Sequence, residues 1–150
     1  MKKRYSIDFF NNLEGRWDLN RCVNFENFSS IKMKGTATFF FLKKNSLKYV
    51  EKVFTHLPGL LEPLEGYREY VYEIEEDGIN IYFSETGLLF HKISFRDTLL
   101  GTARHFCKKD IYEGSYDFRR KNRVKIIYMV TGPSKNYQIE TNFKKALSRS

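Results

Sequence analysis

Apolar and polar residues alternate with a period of two along most of this chain. The alternation begins after Gly15 and continues almost to the C-terminus, and turn signals such as Asp77-Gly78 and Gly132-Pro133 interrupt it at intervals. A period of two predicts β-strands with one buried face, because successive side chains of a strand point to opposite sides of the sheet. We therefore expect about nine or ten strands joined by short turns.

The segment before Gly15 follows a helical spacing instead. Ile7, Phe10 and Leu13 recur at intervals of three, and Ser6 is a residue type that caps helix N-termini. The sequence predicts a short helix from Ser6 to Leu13 that plugs or covers one end of the sheet.

A strand pattern without further helices allows two all-β architectures, a two-sheet sandwich and a closed barrel. Closure removes exposed sheet edges, and a closed sheet of about eight to ten strands is wide enough to hold one small ligand. We therefore predict a single antiparallel up-and-down β-barrel with a short N-terminal helix, in one domain spanning residues 1–150. Residues 15–144 should form the closed sheet, with Trp17 buried at one end.

The segment between Thr55 and Gly66 is unusually apolar for a loop. It contains a turn signal, Pro58-Gly59. Its four leucines are Leu57, Leu60, Leu61 and Leu64. We expect these leucines to lie over a mouth of the barrel or to pack at its rim.

Several polar residues fall on the apolar faces of their strands. Arg21 does so on the first strand, Glu51 on the third, and His91 and His105 on two later strands. Ionised and polar groups are rarely buried unless they are paired or serve a site. We predict that Arg21, Glu51, His91 and His105 converge on one internal cavity.

Arg21 and Glu51 allow two interpretations. In the first, they form a buried ion pair that only holds the barrel together. In the second, Arg21 uses its forked guanidinium to bind a carboxylate or phosphate of a ligand. The interpretations differ in whether Arg21 keeps a free donor edge.

An interior lined by tyrosine, histidine, arginine and glutamate among apolar residues is typical of a site for a small molecule. The predicted ligand-binding residues are Arg21, Tyr49, Glu51, Tyr72, His91, His105, Tyr112 and Tyr116. We predict that the barrel binds an amphiphilic or anionic small molecule, while the identity of the ligand and of any cofactor stays unknown. The alternative is an enzyme in the same cavity, with His91 or His105 as general acid or base, because histidine titrates near neutral pH.

His91, His105 and Cys107 raise the question of a metal site. Zinc would need Asp110 or another ligand beside them, and the chain has no Cys-x-x-Cys spacing, so we predict no metal site. Haem held by one histidine stays open as an alternative. A nucleophile triad of Cys107, His105 and Asp110 is disfavoured, because residues two apart on a strand project in parallel.

The net charge of +8 raises a second alternative, a basic nucleic-acid interaction module. The basic runs, however, stand where one strand pattern ends and the next begins. The densest run contains Arg119, Arg120, Lys121 and Arg123. We expect this run to be exposed around a hairpin tip with no groove leading from it, and we expect no nucleic-acid partner.

No apolar run in the sequence has the length of a signal-peptide core or of a membrane span. The two cysteines, Cys22 and Cys107, are too few for a disulfide framework and are expected to be thiols. We expect a cytoplasmic protein without a membrane partner, and the sequence does not indicate its oligomeric state.

A set of residues spread along the chain resembles a known protein family. Gly15-Arg16-Trp17 is similar to the Gly-x-Trp opening of lipocalins and related calycin barrels. The other elements of the pattern are Phe10, Leu13, Leu19 and Arg21; Tyr49 and Glu51; Tyr70-Val71-Tyr72; Phe90-His91; His105-x-Cys107-x-x-Asp110-x-Tyr112; and Gly132-Pro133-x-Lys135-x-Tyr137. Together they resemble the uncharacterised family called domain of unknown function six-three-one-four, over nearly the whole chain.

The resemblance implies a lipocalin-like, calycin-type barrel, and it assigns no catalytic residue because the family has no established activity. Two positions depart from the pattern that it leads us to expect. Val53 stands where we expect a glycine, and Lys144 stands where barrels of this kind tend to place an arginine over the tryptophan. Both departures concern the packing of the barrel end rather than the fold.

Overall fold

The alternating segments form ten β-strands in the computed structural model, which describes residues 7–26 and 28–146. The strands are β1 (Gly15–Phe25), β2 (Ile31–Lys43), β3 (Ser46–Thr55), β4 (Leu64–Ile74), β5 (Gly78–Phe83), β6 (Leu89–Phe95), β7 (Leu100–Cys107), β8 (Asp110–Arg120), β9 (Arg123–Thr131) and β10 (Asn136–Lys145). Each strand pairs with the next along the chain in antiparallel fashion, and β10 pairs with β1, so the sheet closes. The predictions of an all-β fold and of one up-and-down barrel are confirmed, and the two-sheet sandwich is excluded.

The barrel has a closed end and an open end. The closed end, where β1 begins, is plugged by α1 (Asp8–Asn11), whose Phe10 is fully buried. The ring of Phe9 packs against the rings of Phe95 and Phe118, with 5.6 Å between centroids in both cases. This apolar burial holds α1 in place, because so short a helix is not stable on its own in water.

The helix is shorter than the sequence predicted. We expected it from Ser6 to Leu13, whereas it covers Asp8–Asn11, and Ser6 lies outside the described residues. Trp17 is fully buried above it and donates from Nε1 to the backbone oxygen of Leu13 at 2.8 Å. The prediction that Trp17 is buried at one end of the barrel is therefore confirmed. No helix in the described part of the chain has the length and apolarity needed to cross a membrane.

Lys145, rather than Lys144, covers Trp17. Alternation along β10 turns Lys144 into solvent and leaves Lys145 on the same side as Phe143. The Lys145 ammonium lies 5.6 Å from the centroid of the Trp17 ring, its cross-strand neighbour, and it also donates to the backbone oxygen of Asn12. The expected cation is thus present one position later than the resemblance indicated.

Val53 is accommodated by a glycine on the neighbouring strand. Its side chain is buried, and its cross-strand partner on β4 is Gly66. A Cβ atom at Gly66 would come within 3.3 Å of Val53 Cγ2. The glycine that we expected at position 53 is therefore found opposite it, where it leaves room for the valine.

Inward-facing residues follow the predicted parity along most strands. On β1, for example, Trp17, Leu19, Arg21 and Val23 are buried and alternate with less buried neighbours. Aromatic and aliphatic side chains fill the half of the interior next to the closed end. The inward-facing polar residues lie in the half toward the open end.

Two local irregularities break the alternation. At the end of β2 burial stops, since Phe40, Phe41 and Leu42 are all exposed although Phe41 still pairs in register with the buried Leu47. The pairing of β5 with β6 skips Phe90, so that Phe90 and His91 are both buried while Leu89 is 44% exposed. A bulge inserts an extra residue and exchanges the faces of the strand beyond it, which alternation in sequence does not reveal.

Strand β5 is too short to accompany β4 over its whole height. It ends at Phe83, opposite Tyr70, and after one backbone hydrogen bond from Ser84 to the oxygen of Glu69, residues 64–68 of β4 have no paired neighbour on that side. The barrel wall is therefore low beside the part of β4 that lies nearest the open end.

Strands β6 and β7 separate toward the open end. They pair only through residues 94–95 of β6 and 101–102 of β7, next to the closed end. Beyond that point residues 89–93 and 103–107 form no pairs with each other, and we call these two stretches the seam. His91 and His105 stand on its opposite sides.

The basic runs lie at both ends of the barrel. Those around the β8–β9 hairpin at the closed end are Arg119, Arg120, Lys121 and Arg123, and all are exposed. Lys108 and Lys109 lie in the β7–β8 turn at the opposite end. The expectation of an exposed hairpin tip is confirmed, and none of the cavities described below is lined by these residues.

Candidate functional site

An ion pair between Arg21 and Glu51 lies near the middle of the barrel interior, where both side chains are buried. Arg21 Nη1 donates to Glu51 Oε2 at 2.6 Å and Nη2 donates to Oε1 at 2.7 Å, which makes a bidentate fork. The remaining nitrogen, Nε, donates to Thr141 Oγ1 at 2.8 Å. Every guanidinium nitrogen of Arg21 thus has a partner within the protein, which favours the ion-pair interpretation.

Burial and ion pairing have opposite effects on the pKa values of Arg21 and Glu51. Burial by itself raises the pKa of the Glu51 carboxyl, but the hydrogen bonds and charge of Arg21 outweigh it and hold the pKa below its ordinary value. Burial likewise lowers the pKa of Arg21, and Glu51 more than compensates. Tyr49 donates to Glu51 Oε1 at 2.5 Å, while burial and the carboxylate charge raise the pKa of its phenol. Glu51 is therefore ionised at neutral pH, and Tyr49 is a neutral donor.

Arg68 stands on the open side of this pair. Its Nε is 4.0 Å from Glu51 Oε2, beyond hydrogen-bond distance, and its side chain is 43% exposed. Sequence reasoning missed Arg68, although it shares the inward parity of Tyr70 and Tyr72 on β4. The alternation along β4 could have identified Arg68 as an inward-facing residue. The sequence does not reveal that the barrel wall is low beside this part of β4.

A second polar cluster connects His91 with two tyrosines. The Tyr116 hydroxyl lies 2.6 Å from His91 Nδ1 and 3.1 Å from the Tyr128 hydroxyl. His91 Nε2 lies 3.3 Å from the backbone oxygen of Tyr112, which can only accept, so Nε2 carries the proton and Nδ1 accepts from Tyr116. Gly114 leaves room for this ring, because a Cβ atom there would lie 2.9 Å from His91 Cε1.

His91 is a neutral imidazole at neutral pH. Burial lowers its pKa to about 4, against a smaller raising effect of the Tyr112 backbone oxygen. Both ring nitrogens are already bonded within the protein, so His91 presents neither a lone pair nor a proton to a substrate. The geometry therefore disfavours His91 as a general acid or base.

His105 is less enclosed than His91. It is half-buried, and its ring centroid lies 5.5 Å from that of Phe90, 6.5 Å from that of His91 and 6.3 Å from that of Tyr112. Cys107 is exposed, and within residues 7–26 and 28–146 no three His, Cys, Asp or Glu side chains lie close enough together to hold a metal ion. The side chains considered for metal ligation are therefore not assembled into a site.

Three spaces surround the Arg21–Glu51 pair and Arg68. A void of about 10 Å³, which has room for one water molecule, is lined on one side by the pair and on another by Tyr128. A mouth pocket of about 200 Å³ opens at the rim, and its lining consists of Arg21, Met33, Glu51, Val53, Thr55, Leu64, Glu65, Gly66, Tyr67 and Arg68. A side pocket of about 460 Å³ lies outside the low wall of β4, next to Tyr70 and Phe83. Arg68 lines all three spaces.

The four polar residues expected in one cavity do not meet there. Arg21 and Glu51 line the void, whereas His91 and His105 do not. His91 reaches it only through the two tyrosine hydroxyls, and His105 lies at the seam. The predicted convergence is wrong, because the ion pair and His91 each find partners within their own part of the wall. Of the other predicted ligand-binding residues, Tyr49 and Tyr72 line the void, and Tyr112 and Tyr116 contact His91.

The leucine-rich loop between β3 and β4 lies at the open end. Leu64 lines the mouth pocket and is 51% exposed. Leu60 and Leu61 project into solvent, and Leu57 is half-buried. Leu64 lies at the rim of the barrel mouth, as expected. Leu60 and Leu61 do not cover the mouth.

The chain matches the model of one protein family, and its structure is similar to several solved β-barrels. The model of DUF6314, a family of unknown function, matches residues 13–145. No curated protein matches the sequence. Among solved structures, the S-type phycobiliprotein lyase CPES from Guillardia theta is 10% identical with a TM-score of 0.75, and the alignment covers 97% of this chain and 96% of that one.

Two further solved structures share the architecture at lower TM-scores. Rv2717c from M. tuberculosis is 11% identical with a TM-score of 0.56, covering 94% of this chain and 97% of that chain. EF1p2_mFAP2b, solved bound to DFHBI, is 11% identical with a TM-score of 0.50, covering 91% and 96%. At such identities the likeness shows the fold.

Proposed function

This chain belongs to DUF6314, a family of unknown function, and from that premise we propose that it binds a small amphiphilic molecule in the open half of its barrel. The mouth pocket is the observation that carries the proposal. Its polar floor is the Arg21–Glu51 pair, and its walls include the apolar side chains of Met33, Val53 and Leu64. A few fixed polar groups among apolar walls are the usual composition of a small-molecule site.

The difference between the two ends of the barrel favours entry of a ligand from the open end. Trp17 and Phe10 fill the closed end completely, since neither has any exposed surface. The mouth pocket is open to solvent, and the side pocket, which shares Arg68 with it, is lined by Tyr70 and Phe83. A ligand with a polar and an aromatic or aliphatic part fits this arrangement.

The similar barrels support the proposal by analogy of architecture. EF1p2_mFAP2b is bound to DFHBI, so a barrel of this kind accommodates a small molecule. The phycobiliprotein lyase shares the architecture over nearly its whole length. Neither likeness identifies the ligand of this chain.

The alternatives drawn from the sequence have less support. An enzyme in the same space would have to use His105, because both ring nitrogens of His91 are bonded and its pKa is about 4. A nucleic-acid module would need one continuous basic surface, whereas the runs at 108–109 and 119–123 are separated by the length of β8. A cytoplasmic location stays a prediction from the sequence.

Fluorescence titration with N-phenyl-1-naphthylamine, a neutral aromatic amphiphile, tests the proposal. We expect saturable one-to-one binding by the intact chain. Met33→Trp fills the mouth pocket and should weaken this binding by about tenfold or more. Leu42→Trp introduces the same side chain near the closed-end terminus of β2, where Leu42 is 53% exposed, and should leave the affinity within about twofold.

Thermal melts establish that both tryptophan variants are folded. If Met33→Trp does not fold, Thr55→Phe at the same pocket takes its place and should weaken binding in the same direction. The proposal is overturned by the absence of saturable binding to the wild-type chain, or by mouth-pocket variants that bind the probe as tightly as the wild type.

A further inference from the structure

We propose that Arg68 is the anchor for an oxyanion on the bound molecule, so that the ligand is an amphiphilic anion carrying a carboxylate, sulfonate or phosphate group. This inference rests on the proposed function and adds the chemical class of the ligand. It concerns a residue that the sequence analysis did not assign to the site, at the junction of the mouth pocket, the void and the side pocket.

The argument begins with the charges at the floor of the mouth pocket. The Glu51 carboxylate accepts two hydrogen bonds from Arg21 and one from Tyr49. Arg21 therefore pairs most closely with Glu51, and Arg68, whose Nε is 4.0 Å from Glu51 Oε2, is paired with it only loosely in a partly exposed position. An anionic group of a ligand would balance the charge of Arg68.

The neighbouring carboxylates do not compensate Arg68. Glu65, which also lines the mouth pocket, lies 3.9 Å from the ammonium of Lys52 and accepts from the Tyr67 hydroxyl at 2.7 Å. Glu69 lies 3.6 Å from the ammonium of Lys48. Among the described acidic residues beside Arg68 on β4, each therefore has another partner.

The environment of Arg68 suits an anchor better than that of Arg21. All three nitrogens of Arg21 already donate to Glu51 or Thr141, and its side chain is 6% exposed. Arg68 approaches Glu51 only to 4.0 Å, and 43% of its side chain is exposed. Its planar fork of donors can therefore meet both oxygens of an oxyanion from the pocket side, which is the preferred geometry of guanidinium with carboxylate, sulfonate or phosphate.

Nearby aromatic rings provide a surface for the apolar part of such a ligand. Tyr70 stacks on Phe90, with 5.5 Å between ring centroids and an interplanar angle of 11°. Phe83 packs 6.0 Å from Tyr70 and 5.0 Å from Phe90. The aromatic part of a ligand anchored at Arg68 would therefore contact either these rings or the walls of the mouth pocket.

The test uses two probes that share one aromatic body and differ in charge. 8-Anilino-1-naphthalenesulfonate carries a sulfonate, and N-phenyl-1-naphthylamine lacks it. We expect the wild-type chain to bind the sulfonate about tenfold more tightly than the neutral probe. Arg68→Gln should reduce the ratio of the two affinities to about one, and Arg68→Lys should retain part of the preference.

Arg120→Gln is the matched control, because it removes the same charge from an exposed side chain at the closed end. It should leave both affinities unchanged, whereas an equal loss of sulfonate binding in this variant would assign the preference to net charge and overturn the role of Arg68. Arg68→Gln with an undiminished sulfonate preference would likewise overturn it. If the neutral probe still responds to Met33→Trp in that case, the proposed function stands; if neither probe binds the wild type, both proposals fail.

Discussion

At the scale of single residues, the buried polar groups of this protein satisfy one another. Arg21 is paired with Glu51, and His91 is bonded to Tyr116 and to the backbone. Among the buried side-chain atoms that the structure describes, Asn80 Oδ1 is the one without a hydrogen-bond partner. This completeness is what a stable interior requires, because an unpaired buried polar group costs about 1–3 kcal/mol.

The neutral state of His91 predicts a pH dependence of stability. Its pKa is about 4 in the folded protein, below the ordinary value of 6.5, so the unfolded chain binds the proton first as the pH falls. The free energy of unfolding should therefore be highest above pH 6.5 and decrease between pH 6.5 and pH 4, by about 3 kcal/mol over the full interval. Urea unfolding across this range measures the decrease.

The contribution of His91 can be separated from that of the carboxylates. His91→Phe keeps a ring above Gly114 but cannot be protonated, so its stability should depend less steeply on pH in this interval than that of the wild type. Proton NMR of the His91 ring is an independent check, and a midpoint near pH 6.5 there would contradict the assignment of a neutral buried imidazole.

At the scale of elements, α1 stabilises the protein by covering the apolar surface at the closed end of the barrel, rather than through its own helical stability. Its Phe10 has no exposed surface, and its Phe9 contacts Phe95 and Phe118 of the barrel. The plug lies at the closed end, whereas the proposed binding site lies at the open end. Stability and ligand binding should therefore respond to different substitutions.

Phe10→Ala tests this separation. Removing a fully buried aromatic side chain should lower the free energy of unfolding by about 3–5 kcal/mol, because it leaves a cavity under Trp17. The affinity of the folded variant for N-phenyl-1-naphthylamine should stay within about twofold of the wild type. Leu61→Ala, on a side chain that is 103% exposed, is the control and should change stability by less than about 0.5 kcal/mol. A large loss of affinity in folded Phe10→Ala would show that the two ends are coupled.

At the scale of the whole molecule, the sheet is closed but uneven. β1 pairs with β2 and β10 along nearly its whole length, and the pairing of β8 with β9 is also long. The seam between β6 and β7 lacks such pairs over residues 89–93 and 103–107. The barrel is therefore held most firmly on the side of β1 and least firmly at the seam between β6 and β7.

Amide hydrogen exchange should reveal this difference. Backbone amides of β1 and β10 donate within the sheet, whereas those of the seam lack a partner across it. We expect seam amides that face the gap to exchange at least about tenfold faster than amides of β1 near Leu19. Equal protection on both sides of the barrel would mean that the seam is closed by pairs in solution and would contradict this prediction.

The sequence by itself determined the strands, the barrel and most of the inward-facing residues. Side chains on one strand alternate between two faces, so apolar parity identified Trp17, Arg21 and Glu51 as buried before any partner was known. The alternation failed at Leu89, where irregular pairing with β5 exchanges the two faces. It failed there because a bulge depends on the neighbouring strand as well as on the strand that carries it.

Only the tertiary structure decided which inward-facing residues meet. Closure and strand register placed Glu51 against Arg21 and left Arg68 at 4.0 Å from Glu51 at the pocket mouth, although all three share the inward parity. Register likewise joined His91 to Tyr116 instead of to the ion pair. The physical reason is that parity states which side of the sheet a residue faces, whereas the height and the opposing strand that determine its contacts are properties of the closed barrel.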